Sequence, residues 1–173
     1  MNIRTAALAG ALIFFSFSAG ASAQTVLMSA DWAEQACDAW NKQPILTDEL
    51  AAPGWVANNK DRGYKVMQVY RTDCENSPRV ELRISDKDGK ALCEYGGKVE
   101  TTELAGDADY IMHATTERWQ QMGAGDYGPM KAMMFGRLKF EGPKWEAMKN
   151  MGPFGQFLLL AGVIPSAAET CPQ

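Results

Sequence analysis

Histidine is almost absent from this chain of 173 residues, because His113 is its only one. The sequence also lacks the Gly-x-Ser-x-Gly, Walker-type phosphate-loop and His-Glu-x-x-His motifs. No cysteine or second histidine lies at metal-ligand spacing from His113, so we expect it in the core or at a sheet edge. The absence of these motifs predicts a binding protein without a catalytic residue, a metal or a cofactor.

Basic clusters are missing as well. The chain has 17 basic and 21 acidic residues, a net charge of −4, and no run of Lys or Arg. Nucleic-acid binding normally needs a basic face, so this composition argues against it. The same acidic balance argues against strong docking on anionic lipid headgroups.

The apolar run from Ala6 to Phe17 is too short for a typical membrane span. Arg4 precedes it and Ala21-Ser22-Ala23 follows it, which is the pattern of a cleavable secretory signal peptide over residues 1–23. The residue directly after the cleavage site is Gln24 and not a cysteine, so a lipoprotein anchor is not indicated. We therefore expect a soluble, exported, periplasmic protein with a single domain over residues 24–173.

Four cysteines suit an oxidising compartment and two disulfides: Cys37, Cys74, Cys93 and Cys171. A regular meander of the central strands would place Cys93 beside Leu82 and on the face opposite Cys74, which disfavours a Cys74–Cys93 bond. We therefore favour Cys37–Cys93 with Cys74–Cys171, although one β-bulge would remove this argument. Zinc is the less favoured alternative, because no two of these cysteines are close in sequence.

The first half of the mature chain predicts one helix and three strands. The helix runs from Asp31 to Asn41, with Asp31 as its N-cap and Glu34 completing a capping box. A short helix is possible over Thr47 to Ala51. The expected strands are Tyr64–Asp73, Arg79–Ser85 and Lys90–Tyr95, the last ended by Gly96-Gly97. The alternation in the second strand predicts one buried face and one solvated face.

The stretch from Asp107 to Gly162 holds seven of the ten methionines. It predicts a strand over Asp109–Ala114, a helix ended by Gly123, a helix from Pro129 to Gly136, and a strand over Arg137–Glu141. Apolar helices follow, with a break expected at Gly152-Pro153, and then a polar tail from Ser166 to Gln173. The methionines fit core filling, a soft lipid-binding wall or, least favoured, Cu(I) binding by the pairs Met130/Met133 and Met148/Met151.

Several of these features occur in a specific order. Ala108-Asp109 opens a strand, Trp119 and Met122-Gly123 close a helix, and Gly136-Arg-Leu-Lys-Phe-Glu-Gly142 places a short alternating strand between two glycines. In this order and spacing, the stretch from Ala108 to Met151 resembles the sterol carrier protein type 2 family. The resemblance implies an α/β (α+β) fold in which a five-stranded mixed sheet and helices on one of its faces enclose an apolar tunnel. Members of that family carry sterols, fatty acyl chains, acyl-CoA or isoprenoid quinones, and acyl-CoA is not expected outside the cytoplasm.

The implied function is a monomeric carrier of an apolar lipid, such as a sterol, hopanoid, quinone or fatty acid, with transient membrane contact. The helix from Phe154 to Ile164 is the expected lid and membrane-touching edge. Alternatively, that helix docks a protein partner. The candidate tunnel wall consists of Trp119, Met122, Met130, Met133, Met134, Phe135, Leu138, Phe140, Trp145, Met148, Phe154, Phe157 and Leu158.

Overall fold

The structure, a computed structural model, describes residues 24–52, 54–76 and 78–173. The expected signal peptide lies outside the described residues. In chain order, the elements are β1 (Thr25–Val26), α1 (Ala30–Trp40), α2 (Pro44–Thr47), β2 (Tyr64–Arg71), β3 (Val80–Lys87), β4 (Lys90–Lys98), β5 (Tyr110–Ala114), α3 (Thr116–Gly123), α4 (Pro129–Met134), β6 (Lys139–Glu141), α5 (Lys144–Lys149), α6 (Met151–Val163) and β7 (Ser166–Ala167).

Five of the strands form one mixed sheet in the order β4-β3-β2-β5-β6. The central pair, β2 and β5, is parallel, and the other three pairs are antiparallel. The connection between β2 and β5 runs through the β3–β4 hairpin, so the chain returns to the middle of the sheet before it forms its later helices. The predicted five-stranded mixed sheet is confirmed.

One face of the sheet packs against helices. Met67 and Val69 of β2 and Tyr110 and Met112 of β5 are buried on this face, as the two-residue period of a strand requires. Trp40 at the end of α1 joins the layers, because its indole Nε1 donates a hydrogen bond to the Ala91 carbonyl at 2.8 Å. The Trp40 ring also packs edge-on against Phe157 of α6, so α1 and α6 share one core with the sheet.

The opposite face is less solvated than the alternation predicted. Glu81 of β3 is fully buried, because the segment from Val99 to Asp109 crosses this face. The Glu81 carboxylate accepts hydrogen bonds from the Thr101 backbone N–H at 3.0 Å and from the Thr101 hydroxyl at 2.8 Å. It also pairs with Arg83 at 2.7 Å. The prediction of a wet face at Glu81 is therefore wrong, since an irregular segment leaves no periodic signal.

The predicted polar tail is part of the fold. β7 pairs with β1, and the Leu27 N–H donates to the Ala167 carbonyl at 2.9 Å. Arg71 is buried beneath this two-stranded sheet, where its guanidinium donates to the Ala168 carbonyl and, at 2.7 Å, to the Thr170 carbonyl. The tail is thus held by backbone pairing and by an arginine that satisfies its carbonyl groups.

The two disulfides join Cys37 to Cys93 and Cys74 to Cys171, which is the pairing that the sequence favoured. The expected strand register was nevertheless wrong. Cys93 lies opposite Ile84 and not Leu82, because a β-bulge shifts the β3–β4 register after Arg83.

Three predicted helix boundaries also differ. Ser29 caps α1, with its hydroxyl accepting from the Trp32 N–H at 3.2 Å, so the cap lies two residues before Asp31. The short helix α2 begins at Pro44 and precedes the expected position. The last helices separate at Asn150 and not at Gly152-Pro153. Pro153 falls in the first turn of α6, where its missing N–H costs no helical hydrogen bond.

Two predicted terminators are glycines that permit close packing. Gly96 lies inside β4, and a Cβ there would lie 2.1 Å from the Ala33 carbonyl oxygen of α1. Gly123 is the last residue of α3 and faces Gly162 of α6. A Cβ on Gly162 would lie 2.3 Å from the Gly123 carbonyl oxygen, so both helices need glycine where they cross.

We predict that Gly162→Ala destabilises the protein by about 1–3 kcal/mol, although alanine favours helix, because the added methyl forces α3 and α6 apart. Gly106→Ala is the matched control, since a Cβ at Gly106 meets no atom of the described residues within 4 Å. Urea unfolding of both variants measures the difference. Equal stability of Gly162→Ala and the wild type would contradict the close crossing.

Candidate functional site

An apolar groove opens on the surface between α4, β6 and α5, with a volume of about 410 Å³. Met130 and Met133 of α4 form one side, and Met148 of α5 forms the other. Leu138 and Phe140 form the base. The volume lies within the range typical of small-molecule sites, roughly 300–1,000 Å³.

Local sequence explains why the groove forms here. Pro129 is the first residue of α4, where its ring favours the helical φ and its missing N–H is not needed. Gly136 takes a positive φ of 64° and turns the chain sharply out of the helix. That turn brings Leu138 beneath α4 and leads directly into β6, which pairs with β5 at the sheet edge.

A second, much smaller cavity of about 30 Å³ lies between the sheet and α6. Its walls are mostly apolar and aromatic, and they come from α1, the loop before β2, the central strands, α5 and α6. The lining residues are Trp40, Leu50, Trp55, Met67, Tyr110, Met112, Ala147, Asn150, Pro153, Phe154 and Phe157. The space is about that of one water molecule, so the interior is nearly closed.

A single layer of side chains separates the groove from the inner cavity. Ala147 of α5 lines both spaces. Phe140 lines the groove and Phe154 the inner cavity, and their ring centroids are 5.7 Å apart. Displacement of α5 and Phe140 would therefore join the two spaces into one apolar tunnel.

A buried polar cluster holds α5 in place. Glu146 forms an ion pair with Lys65 of β2, with 2.6 Å between Oε1 and Nζ, and it also accepts hydrogen bonds from the Tyr110 hydroxyl and from Asn58 Nδ2 at 2.9 Å. The Lys65 side chain is fully buried, and that of Glu146 is 18% exposed. Because Ala147 is the one buried residue of α5, this cluster supplies most of its specific attachment to the sheet.

Aromatic rings surround the buried ammonium group. Lys65 Nζ lies 4.6 Å from the Trp55 ring centroid and 5.1 Å from that of Tyr110, distances that favour cation–π attraction. Burial lowers the pKa of Lys65, although the hydrogen bond and charge of Glu146 oppose that shift. Burial, with Glu146, raises the pKa of Tyr110 well above its usual range, so its hydroxyl remains a donor.

The structure divides the thirteen predicted wall residues into three groups. Six line the outer groove: Met130, Met133, Met134, Leu138, Phe140 and Met148. Two line the inner cavity: Phe154 and Phe157. The other five line neither space: Trp119, Met122, Phe135, Trp145 and Leu158.

The last five residues lie outside both walls for two different reasons. Trp119, Met122 and Leu158 are buried in the core, and the Trp119 indole donates to the Tyr70 carbonyl at 3.1 Å. Phe135 and Trp145 are instead exposed, by 65% and 77%. Helical spacing identified these residues as apolar positions but could not distinguish core from surface.

The expectation of an exposed α6 is wrong. Phe154, Phe157, Leu158 and Leu160 are all buried, because α6 lies between α1, α3 and the sheet and is apolar on most sides. Neither the predicted membrane-touching edge nor the predicted docking face lies on this stripe. The exposed large apolar side chains after Tyr110 belong instead mostly to α4, its C-terminal turn and α5.

Sequence reasoning did not identify Lys65, Tyr110 or Glu146 as site residues. A signal was present, since Lys65 shares strand parity with the buried Met67 and Val69. Its ammonium group therefore had to point into the core and required a partner. The identity of that partner, 81 residues away, could not be read from local pattern.

His113 and the groove methionines are the residues that were considered for catalytic or metal roles. The ring of His113 stacks on Tyr70 with 4.6 Å between centroids. Among the described residues, no group of three or more His, Cys, Asp or Glu side chains could hold a metal ion. For Cu(I), Lys139 and Lys144 line the methionine groove, and their positive charges oppose a bound cation.

One glycine pattern is present by spacing alone. Gly123, Gly125 and Gly128 match Gly-x-Gly-x-x-Gly, but the pattern begins at the last residue of helix α3, whereas a dinucleotide-binding loop follows a strand. We assign no cofactor to this loop.

The comparisons with known proteins agree with this architecture. The family model described as the SCP-2 sterol transfer family matches residues 23–155. The chain belongs to the SCP-2 sterol transfer family. The match includes the groove and the Lys65–Glu146 pair, whereas most of α6, together with β7 and Cys171, lies beyond it. A search of curated proteins finds no match.

One of three solved structures aligns well enough to show the same fold at low sequence identity. A crystal structure of sterol carrier protein 2 aligns with a TM-score of 0.52 at 16% identity, covering 80% of this chain and 98% of that one. A solution structure from Thermus thermophilus, titled a conserved hypothetical protein and possibly a sterol carrier protein, gives 0.48 at 20% identity, covering 84% and 94%. Apo sterol carrier protein 2 from Yarrowia lipolytica gives 0.40 at 16%, covering 78% and 97%. The comparison rests on the crystal structure of sterol carrier protein 2, whose TM-score is above 0.5, and it shows the fold alone.

No helix among the described residues of this SCP-2 family member has the length and apolar character needed to cross a bilayer.

We predict strong energetic coupling between Lys65 and Glu146 in a double-mutant cycle. Glu146→Gln should destabilise the fold by about 3 kcal/mol or more, because it leaves a buried ammonium group without its carboxylate. Lys65→Met should cost less, because Glu146 is partly exposed and can be hydrated. The double variant should be more stable than Glu146→Gln alone, as shown by urea unfolding.

The exposed Lys60–Asp107 pair provides the control cycle, and its coupling should be much weaker than that of the buried pair. Additive losses in the Lys65–Glu146 cycle would contradict the proposed attachment of α5.

His113 predicts a pH dependence of stability. Burial lowers its pKa from the ordinary value of 6.5, with Arg79 and Lys139 acting in the same direction and Glu141 opposing. The unfolded chain therefore binds a proton first as the pH falls, and stability should decrease from about pH 6.5 until the folded pKa is passed. Because the chain has one histidine, a single NMR titration curve measures this pKa. A folded pKa above 6.5 would be inconsistent with this account.

Proposed function

We propose that this protein binds an apolar lipid in the groove between α4, β6 and α5 and carries it without making or breaking a bond. The observation that carries the proposal is the single layer of side chains between the groove and the aromatic inner cavity. Membership of the SCP-2 sterol transfer family supports the proposal.

The sizes of the two spaces suggest how loading occurs. The groove holds about 410 Å³ but is open to solvent, and the inner cavity holds about 30 Å³. A lipid seated only in the groove would leave part of its surface in water. Each CH₂ moved from water into an apolar site gains about 0.8 kcal/mol, so extension of the ligand into the interior favours deeper binding.

α5 is the element that would move. It has six residues, one of them buried, and it follows Gly142, whose φ is 136°. Outward movement of α5 removes Ala147 from the wall and stretches the Glu146 contacts with Lys65 and Tyr110. Ligand burial offsets the free energy needed to separate these contacts.

We also propose that the protein acts after export, in the periplasm. The signal-peptide pattern over residues 1–23 and the two disulfides support this location. Sterols, hopanoids, quinones and fatty acids are the ligand classes that remain as candidates.

Two substitutions in the dividing layer should change lipid uptake in opposite directions. Ala147→Leu thickens the layer and should weaken uptake of a dispersed fluorescent sterol or fatty acid about tenfold. Phe140→Ala removes a ring from the layer and should speed uptake. Equilibrium and stopped-flow fluorescence measure both effects on the full mature chain.

The matched control is Ala124→Leu, an exposed position at the end of α3, which should bind as the wild type does. Because partial unfolding also exposes apolar surface, near-UV circular dichroism should first show that Phe140→Ala keeps its native packing. Unchanged uptake by both wall variants, or no uptake of any lipid class by the wild type, would refute the proposed function.

A further inference from the structure

The surface around the groove combines exposed apolar side chains with lysines, and we call it the α4–α5 surface. Its large apolar members are Met130, Met134, Phe135, Trp145 and Met148, whose exposures range from 45% to 77%. Its exposed lysines are Lys131, Lys139, Lys144 and Lys149. Lys139 and Lys144 line the groove together with Met130, Met134 and Met148, so the two kinds of side chain are interleaved.

Charge on this surface is opposite in sign to that of the whole chain. Residues 128–149 contain five basic and two acidic residues, whereas the chain carries −4. Of the two acids, Glu146 points inward to Lys65, and Glu141 is exposed at the end of β6. The fifth cation, Arg137, stacks on the Tyr127 ring at 4.5 Å. The negative net charge of the whole chain therefore does not reveal that the α4–α5 surface is locally cationic.

We propose that the α4–α5 surface docks on bilayers that contain anionic phospholipid headgroups. Exposed Trp, Phe and Met next to lysine suits an interface in which apolar side chains enter the acyl boundary and ammonium groups meet phosphates. Trp145 is the most exposed large apolar residue of the described chain, and tryptophan favours this boundary. The inference rests on the proposed function, because a carrier must meet the membrane that donates its ligand.

The arrangement also places the docking residues beside the entrance. Within the six residues of α5, Trp145 and Met148 face outward, while Glu146 and Ala147 face inward. Contact with a bilayer would thus act directly on the helix that closes the interior, with the groove mouth towards the lipid.

Flotation with vesicles of phosphatidylcholine, with or without phosphatidylglycerol, tests the proposal. The wild type should bind the anionic vesicles and lose binding as salt is raised. Lys144→Gln/Lys149→Gln should lower the partition coefficient about thirty-fold. Each lysine near an anionic surface contributes about 1 kcal/mol, and a tenfold change corresponds to about 1.4 kcal/mol. Lys42→Gln/Lys98→Gln removes the same charge from exposed positions away from this surface and should bind nearly as the wild type does.

Intrinsic fluorescence tests the apolar half of the surface. Four of the five tryptophans are at most 5% exposed, so a blue shift on vesicle binding should come from Trp145. Trp145→Phe should keep binding and lose the shift, whereas Trp145→Ser should weaken binding.

The outcomes separate this inference from the proposed function. Uptake of dispersed lipid without vesicle binding would overturn the docking surface and leave the carrier function standing. Equal loss of binding in both lysine pairs, or equal binding to neutral and anionic vesicles, would also overturn it. Vesicle binding without uptake of any lipid would support the surface and refute the carrier.

Discussion

The ion pair between Lys65 and Glu146 is the constraint on which the closed form of this protein depends. A fully buried ammonium group inside an aromatic interior needs a carboxylate, and that carboxylate comes from a six-residue helix with one buried side chain. The buried ammonium group of Lys65 on β2 requires the Glu146 carboxylate, and this requirement fixes the position of α5. Because α5 also carries Ala147 in the dividing layer, the same contact closes the inner cavity.

This arrangement connects packing with function. Most helices here are held by apolar burial, as in the crossing of α3 and α6 at Gly123 and Gly162. α5 is held mainly by polar contacts, which are satisfied only in one geometry and are weakened when water or a ligand replaces a partner. An element of this kind can separate from the core without loss of the sheet. Its outward face bears Trp145 and Met148, so the movable wall is also the part most available to a lipid surface.

Sequence patterns predicted the parts of the fold that repeat regularly. The five strands of the main sheet were all predicted, two of them from alternation, and glycine and proline marked the helix–strand–helix order around the groove. Sequence patterns predicted less well which apolar side chains are buried and which are exposed. The apolar α6 is buried, and Phe135 and Trp145 are exposed, because tertiary neighbours decide which apolar helix face is covered. The Glu81 cover and the Lys65–Glu146 pair join residues far apart in the chain, which periodicity does not relate.

A crystal structure of the lipid-loaded protein, prepared from sterol or fatty acid dispersions without detergent, tests the central claim most directly. The account predicts ligand density running from the groove into the space beside Tyr110 and Phe154. It also predicts that α5 is displaced, that Glu146 is separated from Lys65, and that the sheet and α6 are unchanged. A bound lipid with α5 in its present position and the ion pair intact would contradict the account.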